Sequence, residues 1–316
     1  MVRSRSGGGL LSFTLVAISV LPLGRGLIAS SFGAEAASQA MPEAWESAKL
    51  KSALDLLTRV PTGQELVSRA MKLWGIYSPA KTEEIGRHFQ WGSASKTDAV
   101  LIRHYDPQTG EESRERQITV YLRMEQPLDD LVLDLAHELV HATSRPVWDP
   151  YDPTLTAGRY IQTAIEGEGG EVAAVRTECQ VREEFSKRHL LSRPSANDRC
   201  KNYLGKNPAD RIRRDFYRVG KWEKELLAKL VGEATTLPAL SAERPALYSS
   251  TGGAPYPVAL FEEYRQITSA ACENSKKRAA SFDIGKSGAG DRGPASDSYS
   301  EAQRATLNFI SRRCEK

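Results

Sequence analysis

The sequence is short of the features that mark several common protein classes. It has four cysteines in 316 residues, Cys179, Cys200, Cys272 and Cys314, and no two are spaced C-x-x-C. Zinc-ribbon and thioredoxin-like sites therefore have no support. An excess of one charge is also missing. The chain carries 43 Lys and Arg against 40 Asp and Glu, a net of +3, which argues against a nucleic-acid partner for the chain as a whole. A single long apolar run occurs, Leu10 to Leu23, and it falls short of the roughly 20 residues of a membrane-spanning helix. No internal repeat is present. Hydrophobic residues at 40% and charged residues at 26% exclude disordered, collagenous and coiled-coil classes. Histidine is scarce, five in all, so any clustering of histidines carries information.

What is present begins with a leader. Arg3 and Arg5 precede the apolar run, and small residues follow at Ala34-Glu35-Ala36-Ala37, the layout of a secretory signal peptide. Cleavage after Ala36 leaves 280 residues, removes three basic residues and one acidic one, and leaves no membrane span. The alternative is an N-terminal anchor that is retained. Four cysteines suit an exported, periplasmic or extracellular chain with two disulfides. Pairing Cys179 with Cys200 and Cys272 with Cys314 closes the shorter loops and is the expected connectivity.

The rest reads as one α+β domain over 37–280, mainly helical with a small antiparallel sheet, followed by a linker and tethered helix over 281–316. Helical spacing of apolar residues runs from Pro42 to Thr58 and from Gln64 to Trp74, with a break at Val60-Pro61-Thr62-Gly63. The β-branched runs Ala99–Ile102 and Ile118–Leu122, joined by a turn cluster at 106–110, predict two or three antiparallel strands. Pro127 opens a helix ending near Thr143, with Asp129 and Asp130 in its first turn, where the helix dipole favours carboxylates. Pro146 to Gly158 reads as a surface loop, Glu171 to His189 as a helix, and Arg211 to Leu230 and Val258 to Lys277 as two more. Ala279 to Ser298 reads as the linker and Ser300 to Arg313 as the last helix.

The informative residues are His137-Glu138-Leu139-Val140-His141. Histidines four apart project from one face of a helix, so both imidazoles can reach one cation. Glu138, a quarter-turn away, is placed to take a proton from water beside that cation. Two histidines and a glutamate are unfavourable to bury without a metal or a charge partner. Leu131, Leu133, Leu135, Leu139 and Val140 supply the buried faces of this helix, and Asp134, one turn before His137, is placed to orient its ring.

On these residues the segment from Ile118 to Phe185 resembles the HExxH zinc metallopeptidases, the zincins. The metzincin branch extends the motif with a glycine and a third histidine, where this chain has Ser144 and Val147, so that branch is excluded. The gluzincin branch takes its third ligand from a glutamate on a later helix, and this chain offers Glu166, Glu168, Glu171 and Glu178. Glu171 and Glu178 share a helix face with Ala174 between them. The resemblance implies one Zn2+ held by His137, His141 and Glu171, with Glu138 as general base. Glu178 would then support a ligand or be an alternative one, and Glu168, in a glycine-rich turn with Glu166, is a less rigidly aimed alternative. Asp149 or Asp152 would replace the glutamate in an aspzincin-like arrangement. The implied activity is hydrolysis of peptide bonds in a peptide or protein substrate, or in a cell-wall peptide.

A donor for the reacting carbonyl is required by this chemistry, and His189, Tyr248 and Tyr256 are the candidates. His88 and His104 read as surface residues. Arg182 to Lys229 holds 14 basic residues against 7 acidic ones. This is either a solvated basic face or the attachment of an anionic cell-envelope partner. The alternative function is thus a secreted, non-catalytic zinc protein that binds such a partner, with a closed four-ligand site.

Overall fold

The computed structural model describes residues 17–19, 44–77, 82–105, 111–144, 148–191, 199–203, 205–231, 237, 240–249, 253–282 and 300–315. The leader apart from 17–19, the turn cluster 106–110 and the linker over 283–299 lie outside the described residues. The architecture is α+β and mainly helical, as expected from composition and pattern.

Helices α1 (Ala44–Leu57) and α2 (Pro61–Leu73) match the two amphipathic runs. Pro61 starts α2 as well as ending the segment before it, because its fixed φ and missing N–H suit a first helical position. After the short α3 (Thr82–Gly86) come β2 (Phe89–Gly92), β3 (Lys96–Tyr105) and β4 (Glu112–Arg123). Strands β3 and β4 pair antiparallel from Lys96 opposite Tyr121 to Tyr105 opposite Glu112. The expectation of a purely antiparallel sheet is corrected by β2, which runs parallel to β4, Phe89 beside Val120 and Gly92 beside Arg123. The link 93–95 passes the C-terminal end of β4 and sets β2 and β3 on its opposite edges. Within the segment read as a leader, β1 (Ala17–Ser19) lies parallel to Leu101–Arg103 at the outer edge of β3.

Helix α4 (Leu128–Thr143) follows Pro127 and packs between the sheet, α1, α2 and α6. The stretch after it is more ordered than a surface loop. Tyr151 and Leu155 are buried, and Thr156 caps α5 (Ala157–Glu166) by accepting from the Arg159 N–H at 3.1 Å. A glycine turn leads to α6 (Glu171–Lys187). The expected single helix over 211–230 is two, α7 (Pro208–Phe216) and α8 (Glu223–Leu230), because Gly220 takes a left-handed φ of 57° between them. Helix α9 (Tyr256–Ser281) and helix α10 (Glu301–Phe309) complete the chain.

Two hydrophobic clusters flank the seam between α4 and α6. One joins Leu54, Leu66, Val120, Leu131, Leu135 and Phe185; the other joins Tyr160, Ile165, Val175, Phe216, Tyr256 and Leu260. Each such side chain contributes about 1.5–3 kcal/mol by leaving water. Both expected disulfides form, Cys179–Cys200 and Cys272–Cys314. Glu112 on β4 accepts from Arg103 at 2.9 Å and from Arg278 of α9, which ties the sheet to that helix. Burial opposes ionisation of Glu112, but its arginine partners prevail and hold its pKa at about 2. Among the described residues, no helix is long and apolar enough to cross a membrane.

Candidate metal centre

The histidines of α4 point into the seam. His137 is 0% and His141 2% exposed, and their rings lie 4.9 Å apart at 63°. The first residue of α6 faces them: Glu171, itself buried, sits with its oxygens 3.4 Å from His137 Nε2 and 3.7 Å from His141 Nε2. One ligand atom from each of the three lies within 4.8 Å of the others, so this buried group can hold a metal ion. His137 Nε2, Glu171 Oε2 and Glu138 Oε1 are buried without a hydrogen bond, and buried polar atoms left this way are rare unless a ligand completes them.

The far side of each imidazole fixes which nitrogen faces the seam. His141 Nδ1 donates to the Gly169 carbonyl at 2.7 Å, and His137 Nδ1 donates to Glu178 Oε2 at 3.1 Å. Both rings therefore present Nε2 towards Glu171, the orientation that metal-ligating histidines adopt. Glu178 is in turn held by Arg199, whose Nε donates at 3.1 Å and whose Nη2 donates to the second oxygen. Asp134, expected as a partner of His137, instead accepts from Ser95 Oγ at 2.5 Å; Glu178 has the place because α6 packs directly against that ring.

Gly169 makes the approach of α6 to α4 possible. Its φ is 68°, and a Cβ there would overlap the side chain of Ser144 at the end of α4. Only glycine combines that backbone with that proximity, and the same residue supplies the carbonyl for His141. Ala174 is fully buried in the seam between the helices.

Glu138 is 0% exposed and accepts from Thr97 Oγ1 of β3 at 2.8 Å. Burial raises its pKa well above 4.5, against the charge of His137 and the Thr97 hydroxyl. Burial likewise raises Glu171. Burial also opposes charge on His137, but the neighbouring acidic side chains of Glu171 and Glu178 outweigh it and raise its pKa to about 9. His141 is lowered well below 6.5 by burial and by the neighbouring His137 charge. Glu178 is lowered, because Arg199 and His137 overcome its burial. Without a metal, the acidic side chains around His137 thus favour its charged form.

The other candidates separate clearly. Tyr256, in the first turn of α9, is buried, and its pKa is raised by burial first and then by Glu171. Tyr248 is half-buried in the preceding loop, of which 250–252 lie outside the described residues. His189 is exposed just past α6, His88 stacks on Trp74 at 4.4 Å, and His104 is exposed 3.5 Å from Glu115. Glu166 ends α5 and accepts from Tyr217 Oη at 2.7 Å, so it is not in the glycine turn. Asp149 pairs with Arg114, and Asp152 accepts from the Thr154 N–H at 2.7 Å. Neither joins the cluster, nor does Glu168, which lines a cavity of about 40 Å³ beside His141, Tyr160 and Gly169. That is room for about three waters.

Four contributors had no local signal in the sequence: Ser95, Thr97, Arg199 and Glu263. Glu263 of α9 has a buried oxygen without a hydrogen bond, and burial, with the charges of Glu171 and Asp98, raises its pKa to about 8. Part of the basic stretch is paired, with Arg199 on Glu178, Arg213 on Asp210 and Glu166, Arg218 on Asp215 and Glu243, and Lys229 on Glu225 and Glu262. No protein-family model, curated protein or solved structure matches the chain.

Proposed function

We propose that the chain is an exported zinc metallopeptidase of the gluzincin type, with His137, His141 and Glu171 as metal ligands and Glu138 as general base. The observation that carries the reading is the buried triangle itself. Ligand atoms 2.0–2.1 Å from a tetrahedral zinc stand roughly 3.3 Å apart, and the Nε2-to-oxygen separations here are 3.4 and 3.7 Å. A nitrogen, nitrogen, carboxylate set with three protein ligands is the donor set of catalytic zinc, which keeps a position open. Among the described residues no fourth ligand joins the cluster.

Bound there, zinc supplies Lewis acidity and a water of lowered pKa. The protein supplies the rest. Glu138, with one oxygen held by Thr97 and the other without a hydrogen bond, accepts the proton of the attacking water and delivers it to the leaving amine. Tyr256, at the first turn of α9 and facing Glu171, is the favoured donor to the reacting carbonyl. Residues 96–100 of β3 have no strand neighbour on the side away from β4 among the described residues. An extended peptide pairing along that edge passes Thr97 and Ala99 beside the site. Two disulfides fit an oxidising compartment outside the cytosol.

Elemental analysis of the purified chain tests the metal, and hydrolysis of a mixed peptide library tests the reaction. We expect one zinc per chain and cleavage abolished by His137→Ala or Glu171→Ala together with the metal. Full cleavage by a zinc-free preparation would end the reading.

A further inference from the structure

The Cys179–Cys200 disulfide is adjacent in sequence to both halves of the ion pair behind His137. Glu178 precedes Cys179 on α6, and Arg199 precedes Cys200 in a short 3-10 turn over Arg199–Tyr203. The two cysteine Cα atoms are 5.2 Å apart. Each partner of the pair is therefore one residue from a covalent tether. Arg199 grips both oxygens of Glu178, and Glu178 accepts from His137 Nδ1, so a continuous chain of hydrogen bonds runs from the disulfide-anchored turn to the ligand.

The tether joins the two segments that carry the pair. Arg199 lies 21 residues along the chain from Glu178, on a turn that is also held by Tyr203 Oη on Asp215 at 3.0 Å and by the burial of Cys200 and Tyr203. If Arg199 is lost, the two-pronged grip that fixes the orientation of the Glu178 carboxylate is lost with it. A Glu178 carboxylate that is no longer held in place is a poorer fixed acceptor for His137 Nδ1–H, so the imidazole is free to turn Nε2 away from the metal position.

We propose that Arg199 is a positioning residue for the metal centre, acting through Glu178 on His137, and that the Cys179–Cys200 bond secures it there, so that the chain retains its metal tightly only when oxidised. This rests on the metal-site reading above. The other disulfide, Cys272–Cys314, joins α9 to the segment after α10 and touches none of these residues. It is the internal control.

The test uses the full mature chain and measures zinc release to a chromogenic chelator, alongside nitrogen NMR of the imidazoles in the metal-free protein. Loss of a partner behind a ligating histidine typically weakens metal binding 10- to 100-fold. Arg199→Ala and the Cys179→Ser/Cys200→Ser pair are expected to lose zinc faster within that range and to lose the His137 Nδ1–H signal. Arg199→Lys restores part of the retention because charge returns without the two-pronged grip. Cys272→Ser/Cys314→Ser releases zinc at the wild-type rate. Should the Cys179→Ser/Cys200→Ser protein not fold, the two Arg199 variants and reduction of the Cys272→Ser/Cys314→Ser protein decide the matter. Unchanged zinc release in Arg199→Ala, even with a lowered melting temperature, overturns the proposal. If the wild type takes up no zinc, the metal reading fails, while an unaltered His137 signal in Arg199→Ala still overturns the positioning role.

Discussion

Stripped of metal, the protein should lose stability as pH rises from 6.5 through 9. In the folded metal-free chain, burial opposes a charge on His137, yet Glu171 and Glu178 raise its pKa from 6.5 to about 9. A group raised on folding contributes stability that is complete below its unfolded pKa and is lost as pH passes its folded one. The difference between 6.5 and about 9 corresponds to about 3 kcal/mol. At about 2–4 °C per kcal/mol for a chain of this size, the melting temperature should fall by about 6–12 °C across that window. Glu263, raised by burial from 4.5 to about 8, has the same sign between those values, and Glu263→Gln removes its part. With zinc bound, His137 is neutral as a ligand, so the loss disappears. Zinc at a thousandfold excess over its Kd adds about 4 kcal/mol. The assay is thermal melting from pH 5 to 10 in a chelator and in zinc. A metal-free Glu263→Gln protein whose melting temperature is flat or rises from pH 6.5 to 9 would refute the account of His137.

Further expectations follow from single contacts. Gly169→Ala forces a left-handed φ and an overlap with Ser144, so chemical denaturation should show a loss of about 1–3 kcal/mol, with weaker zinc binding because the His141 partner moves. Thr97→Val removes the hydroxyl held by Glu138; the carboxylate loses a bond to its charged form, and the acid limb of the pH–rate profile should move to higher pH. Cys272→Ser/Cys314→Ser opens a loop of sequence separation 42, worth about 4 kcal/mol in the chain-entropy treatment, and urea unfolding should register that loss while turnover per folded molecule is unchanged.

The core of the site was legible because its chemistry is local. His137, Glu138 and His141 occupy one helical turn, and Glu171 and Glu178 are two turns apart on another, so helical geometry places each of them without knowledge of the fold. The structure sets Glu171 on the Nε2 side of His137 and Glu178 on its Nδ1 side. The disulfides were legible for a similar reason, since the shorter loops are also the ones the packing closes. Thr97, Arg199 and Glu263 act on Glu138, Glu178 and Glu171 across 21 to 92 residues of chain, a relation that no periodicity encodes. The parallel placement of β2 was hidden because strand residues do not specify which edge of β4 they join. Helix α5 was masked by the Asp- and Pro-rich stretch before it, although Thr156 as a cap and the spacing of Tyr160, Ile161 and Ile165 carry a helix signal.

The most direct test of the central claim is Glu138→Gln, measured for zinc content and peptide hydrolysis in the same preparation. The substitution keeps the side-chain volume and the Thr97 contact but removes the proton acceptor. The account predicts one zinc per chain, as in the wild type, with turnover lowered by about 100-fold or more. Wild-type turnover in a zinc-loaded Glu138→Gln protein would contradict it.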